Sequence, residues 1–307
     1  MDAPSLLTSW RLEPLQLVPT LVVAALYWRR VRTLRRRGTP VEPWRPWLFG
    51  LGIGLVLFAL ASPIDAFGEE EFLSFHMLQH VLLGDLAPLA LVAGLSGPIL
   101  RPVLALRPVN ALRFLAHPLV ALPLWTVDLY VWHVPFLYQA ALHHDSIHAL
   151  QHLLFFTCGG LMWAPVLEVL PAPEWFGTGW KLGYIVAVRL IETVLGNVFI
   201  WSGKVFYPYY EHAHPRWGIS ALHDQGLAGA VMMLEGSIVT IAALAWLFLR
   251  LASEGELRQE LLERGLDPRA VQRAVRYGRA AALDSSTRST WDSYGPSRTY
   301  SSDPSRS

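Results

Sequence analysis

Cysteine is almost absent from this chain. Cys158 stands alone among 307 residues, which excludes an intramolecular disulfide and any CxxC metal or redox motif. Charge is scarce as well: Asp, Glu, Lys and Arg supply 16% of the residues, against about a quarter in a soluble domain. The formal net charge of +1 says little by itself, and no nucleic-acid partner is expected. The opening MDAPSLLTSWRLEP lacks the basic stretch that precedes the apolar run of a signal peptide. No repeat of 20–50 residues is evident either, which argues against a solenoid.

What the chain has in excess is apolar. Hydrophobic residues make up 53% of it, and they fall in runs long enough to cross a hydrocarbon layer about 30 Å thick. The expected fold is all-α, a polytopic membrane bundle of about seven spans near 14–32, 47–65, 72–93, 117–139, 148–170, 181–202 and 224–250. The first run is followed by Arg29-Arg30-Val31-Arg32 and Arg35-Arg36-Arg37, and further arginines (Arg101, Arg107, Arg113, Arg250) fall on the same side. Cytoplasmic loops collect Lys and Arg. The N-terminus is therefore expected outside and the C-terminus in the cytoplasm, with the lipid bilayer as the chain's solvent. Residues 1–251 then form the membrane domain, 252–283 a cytoplasmic amphipathic helical segment, and 284–307 a disordered tail rich in Ser, Thr, Arg and Pro.

This topology sorts the histidines. Ten of the eleven fall toward the outer face, and only His117 toward the inner one. His76 and His80 open span three one turn apart, and His148 and His152 open span five with the same spacing. Residues four apart share a helix face, about 6 Å from each other. His133 ends span four nearby, so five imidazoles can converge in a shallow outer pocket. His143, His144, His212 and His214 read as solvated loop residues. A competing account makes each imidazole an amphipathic side chain in the headgroup zone, as Trp and Tyr often are. Imidazoles without thiolates suit copper, zinc or haem iron. Met77 and Met232 tilt the choice toward copper, while a haem would need a transverse pair such as His80 with His152.

Ionisable residues at membrane depth are expensive unless they are paired or face a cavity. Asp85, Asp128, Glu168, Arg189, Glu192 and Glu235 are all expected there. They form either a neutralised packing network or a polar path inward, with Asp128 and Glu235 as way-stations. At the start of span seven, His223, Asp224 and Gln225 invite two readings: capping of that helix, or orientation of a ligand from behind.

The segments FHMLQHVLLGDLAPLALVAG (75–94), LYVWHVPFLYQAALHHDSIHALQHLLFFTCGGLMWAPVL (129–167) and DQGLAGAVMML (224–234) resemble the seven-helix CtaG-type cytochrome c oxidase assembly factors of bacteria. HMxxH, WHxPxLYxxAL, HxLxH and DQxLAG occur in that order. The resemblance implies a plasma-membrane protein, not an enzyme, that partners cytochrome c oxidase subunits and binds copper on the outer side. It carries over His76, His80, His133, His148 and His152 as candidate metal ligands, with Asp224 and Gln225 as the family's polar signature. The chain departs from the family where Met232-Met233 is followed by Leu234-Glu235 rather than a tryptophan. A copper transporter of the copper-resistance type and a membrane b-type haem protein stay open as alternatives.

Overall fold

The computed structural model describes residues 9–276. The expected tail 284–307 and the last part of the amphipathic segment, 277–283, lie outside the described residues. Every regular element among the described residues is helical.

α1 (Pro14–Arg36) starts on a proline, whose missing N–H costs nothing in a first turn, and ends on Arg35 and Arg36, which suit the negative end of the helix dipole. α2 (Trp44–Ala61) leads to Ser62, whose hydroxyl accepts the Ile64 N–H and caps α3 (Pro63–Glu70). α4 (Leu73–Val81) continues through a π-helical turn, Leu82–Leu86, into α5 (Ala87–Gly94). Two short helices follow, α6 (Gly97–Leu104) and α7 (Arg107–Leu112), then a 3-10 turn, Arg113–Ala116. Next come α8 (Pro118–Trp132), α9 (Pro135–His143), α10 (Asp145–Leu167) and α11 (Thr178–Trp201). A 3-10 turn, Pro208–Ala213, and α12 (His214–Trp217) precede α13 (Ala221–Glu263) and α14 (Pro268–Arg276).

Five segments are long and apolar enough to cross a membrane: α2, α4 through α5, α10, α11 and α13. A sixth arises if Arg107–Ala116 and α8, bent by 80°, count together. The expectation of seven is therefore met only in part, and α1 makes the difference. It is 23 residues long and exposes Leu15, Leu21, Val22 and Leu26, but five arginines crowd its second half.

Two expected boundaries move for identifiable reasons. The fourth span does not run to 139. α8 stops at Trp132 because Pro135 has no N–H to donate and forces Val134 into extended backbone (ψ 126°). His133 thus sits at a break between helices. The last span does not stop at 250 either: α13 is one helix of 43 residues, which absorbs the first part of the expected amphipathic segment. Gly265, at φ 80°, then reverses the chain into α14.

The helices pack through small residues, as membrane helices do when no hydrophobic force separates helix from lipid. α11 lies along α13, α13 along α4, and α2 along α5, while α10 lies against α8 and the α4–α5 segment. A Cβ on Gly159 would stand 1.8 Å from the Gly84 carbonyl oxygen, so α10 touches the π-turn backbone to backbone. At the C-terminal end of α10 Glu168, in left-handed backbone at φ 54°, pairs with Lys181 and Arg250, each at 2.7 Å. Gly159→Ala is expected to destabilise the fold by about 1–3 kcal/mol, the usual cost of overpacking. A lowered unfolding midpoint in detergent is the check, with Gly160→Ala, whose Cβ meets nothing closer than 3.9 Å, as the tolerated control.

Candidate metal centre

α3 turns back onto α4 through Gly68, where a Cβ would lie 2.8 Å from the His76 nitrogen. This close approach puts the Gly68 carbonyl where it accepts from His76 Nδ1 at 3.3 Å and from the Tyr210 hydroxyl at 2.8 Å. The proton then sits on Nδ1, and the Nε2 lone pair of His76 points away from the carbonyl. One turn on, His80 Nε2 stands 2.8 Å from His76 Nε2.

α10 supplies the other pair. The His148 and His152 rings are 4.1 Å apart, and each faces α4: His76 to His148 at 5.1 Å, His80 to His152 at 5.4 Å between centroids. One nitrogen from each of His76, His80, His148 and His152 lies within 4.8 Å of the others. All four residues are buried, with 0–9% of their surface exposed. Side chains adapted to the headgroup zone would keep a wet edge, so the interfacial account does not describe this quartet.

His148 Nδ1 meets Glu69 Oε1 at 2.9 Å, the carboxylate–imidazole arrangement that fixes the tautomer and aim of metal-binding histidines. Arg11 in turn donates to Glu69 at 2.5 Å, to Asp65 at 3.5 Å, and to Glu70. Gln79 donates to Asp65 at 2.6 Å and to the Ala59 carbonyl at 3.0 Å. Three tyrosines close one side of the quartet. Tyr138 stacks on Tyr207 at 4.0 Å, and its hydroxyl meets that of Tyr210 at 3.3 Å; the Tyr210 hydroxyl also reaches His76 Nδ1 at 3.2 Å.

The quartet leaves lone pairs unspent. His80 Nδ1, His148 Nε2 and His152 Nε2 have no hydrogen-bond partner, although buried polar atoms are nearly always paired. Convergent, unpaired imidazole nitrogens fit a copper or zinc ion. Four nitrogens at about 2.0–2.1 Å from a tetrahedral ion stand about 3.3 Å from one another, so a small opening of the quartet would admit one. A porphyrin does not fit: the His80 and His152 rings, 5.4 Å apart and edge to face, leave no slot for a macrocycle between them.

The other predicted residues go elsewhere. His133 is not among the four. Its Nδ1 donates to the Leu129 carbonyl at 2.6 Å, and its Nε2 is unpartnered. Together with Met77, Met232, Asp85 and Glu235 it lines a cavity of about 60 Å³ beneath His80. Asp128 is buried, with Oδ2 unpartnered.

Asp224 caps neither its own helix nor a ligand. It accepts from Leu73 N at 2.6 Å and from Ser74 N and Oγ at 3.2 and 2.5 Å, and so holds the start of α4. Ser220 caps α13 instead. Gln225 pins the preceding loop through Phe206 N and the Lys204 carbonyl, at 2.8 and 3.0 Å. His223 is exposed, as are His143, His144 and His212. The side chain of His214 lies outside the described residues.

The sequence concealed Gly68, Glu69, Arg11 and Tyr210. Glu69 is one of three consecutive acids, Glu69–Glu71, with nothing in the sequence to single it out. Burial opposes its ionisation, but the His148 hydrogen bond and the Arg11 charge outweigh that and hold its carboxyl below the usual range. For Asp65, burial and then the Glu69 charge push the carboxyl up to about 6.

A model of the family described as cytochrome c oxidase caa3 assembly factor (Caa3_CtaG) matches residues 25–254, a stretch that includes all four histidines. No curated protein and no solved structure matches the chain.

The raised Asp65 value has a consequence for stability. The folded state holds this proton more tightly than the unfolded one, so the stability it confers is full below about pH 4 and lost as pH rises through about 6. Asp65→Asn is expected to gain on the native protein by about 1–2 kcal/mol between pH 4 and 7. Unfolding midpoints measured across that range test the slope.

Proposed function

Because the chain belongs to the cytochrome c oxidase caa3 assembly factor family, we propose that it carries copper for maturation of the oxidase copper centre, with no turnover chemistry of its own. The observation that supports this reading is the convergence of four buried imidazoles, three of which (His80, His148 and His152) carry a nitrogen with no partner within the protein. Copper is cargo here. His76, His80, His148 and His152 hold it, and the partner is the oxidase subunit that receives it.

The surrounding residues set the terms of binding. The Gly68 carbonyl and Glu69 each occupy an Nδ1–H, on His76 and His148, and leave Nε2 basic and aimed inward. Arg11 keeps Glu69 charged, which strengthens the imidazole behind which it stands. The Tyr138, Tyr207 and Tyr210 group excludes water from the outer side. In the proposed topology α1 is a further span, the N-terminus is outside the bacterial plasma membrane, and the quartet faces outward.

A transporter reading has one observation in its favour, the cavity next to His80 whose lining includes His133, Asp85, Glu192 and Glu235. The two readings diverge in the cell. Under the assembly reading, His80→Ala and His152→Ala abolish copper binding by the purified protein and oxidase activity in the host, while total cellular copper stays unchanged. Changed copper accumulation would favour transport, and undiminished copper binding in the double variant would refute the site. Glu69→Gln is expected to weaken copper affinity 10–100-fold, as loss of such a supporting group typically does. A competition titration with a chromogenic chelator measures it.

A further inference from the structure

The hydrogen bonds fix where the lone pairs of two imidazoles lie. His76 keeps its proton on Nδ1, toward the Gly68 carbonyl at 3.3 Å, so its Nε2 can only accept. His80 Nε2, 2.8 Å away, is therefore the donor, and the lone pair of His80 falls on Nδ1. His133 Nδ1 donates to the Leu129 carbonyl at 2.6 Å, which leaves its lone pair on Nε2, at the far edge of the ring. Neither lone-pair nitrogen has a hydrogen-bond partner, and both residues are more than nine-tenths buried.

Both residues line one cavity of about 60 Å³, well above the roughly 10–15 Å³ that a single water needs. Two thioethers, Met77 and Met232, share its wall. Met77 stands three residues before His80 on α4, and residues so spaced lie on one helix face. Met232 comes from α13, which runs along α4. His133 comes from the break between α8 and α9, where the Tyr207 hydroxyl donates to its carbonyl at 2.8 Å and holds the backbone. Much of the remaining wall is apolar, Leu129 and Phe155 included. Of the acids there, Asp85 is engaged by Trp163 Nε1, and Glu192 stands 4.0 Å from Arg189. Such a donor set discriminates between metals. Thioether sulfur selects copper(I), and imidazole suits copper as well, whereas harder ions take carboxylate and water.

We propose that this cavity is a second metal site, which takes copper(I) through His80 Nδ1, His133 Nε2 and the sulfurs of Met77 and Met232. The inference deepens the copper reading above and rests on it. The quartet offers nitrogen alone; the second site adds sulfur. The two places also share a residue. A neutral imidazole has one nitrogen lone pair to give. His80 can give Nδ1 to the second site as it stands, and Nε2 to the quartet only after its proton moves from Nε2 to Nδ1. Copper at one place therefore withdraws His80 from the other. The lone pair of His133, which the quartet does not use, has a task on this reading.

The test uses the full chain in detergent micelles under argon, loaded with copper(I) as its acetonitrile complex and read by copper K-edge X-ray absorption. The wild type is expected to show sulfur beside nitrogen around the metal. Met77→Leu/Met232→Leu, a swap that nearly conserves volume, should lose the sulfur scattering and still bind copper(II) chloride at the quartet. His148→Ala/His152→Ala, which breaks the quartet and leaves His80 in place, should keep copper(I) with its sulfur; adding His133→Ala should then lose it. Nitrogen alone around copper(I) in the wild type, or sulfur scattering that survives the loss of both methionines, overturns the inference. So does loss of copper(I) from His148→Ala/His152→Ala when its unfolding midpoint is unchanged. Copper(II) bound by the wild type with no sulfur around copper(I) overturns this inference alone, whereas a wild type that binds neither ion overturns the assembly reading with it.

Discussion

An imidazole removed from water must find a partner for its N–H, and that requirement organises the histidine-bearing end of this bundle. Burying an unpaired polar group costs a few kcal/mol, and two of the four clustered rings have their Nδ1 side committed. Gly68 meets the requirement for His76 with a backbone carbonyl that only a residue without a side chain can bring so near. Glu69 meets it for His148 with a carboxylate. Both partners belong to α3, a helix of eight residues that does not itself span. Its place is fixed from three sides: Ser62 caps its start, Arg11 gathers its acids, and Gln79 ties Asp65 to α4. The short helix that adds nothing to the crossing of the membrane is the one that aims the rings.

Much of the candidate site was legible in the sequence because its signal is local. Two His-x-x-x-His pairs at apolar segment starts announce a shared helix face, and apolar length announces the spans. The partners were not legible because they act across distance in the chain. Nothing near Glu69 says that it, rather than Glu70 or Glu71, reaches His148. Tyr210 comes from a loop 134 residues away from His76. Asp224 read naturally as the cap of its own helix, yet it caps α4, about 150 residues earlier, because the loop before α13 places its carboxylate over the free N–H groups of Leu73 and Ser74. His133 stands apart from the other four for a simpler reason. Pro135 was present in the motif, and its demand for extended backbone at Val134 ends α8 early and turns the imidazole toward the cavity.

The fold and the proposed chemistry share one economy of polar groups. Glu168, Lys181 and Arg250 neutralise one another at the C-terminal end of α10, and that part of the bundle behaves as packing. The polar groups around the cavity do not close in this way: ring nitrogens and one Glu235 oxygen stay without partners there.

α13 gives this arrangement a mechanical dimension. At 1.5 Å per residue its 43 residues make a rod about 65 Å long, longer than the roughly 40–45 Å thickness of a bilayer with its headgroups. Asp224 near one end clasps α4, Glu235 touches the cavity, and Arg250 grips Glu168 farther along, before the helix runs on to α14. One rod longer than the bilayer thus ties the start of the histidine-bearing α4 to Glu168 and to α14, so the candidate metal face and the far end of the chain share a single rigid element.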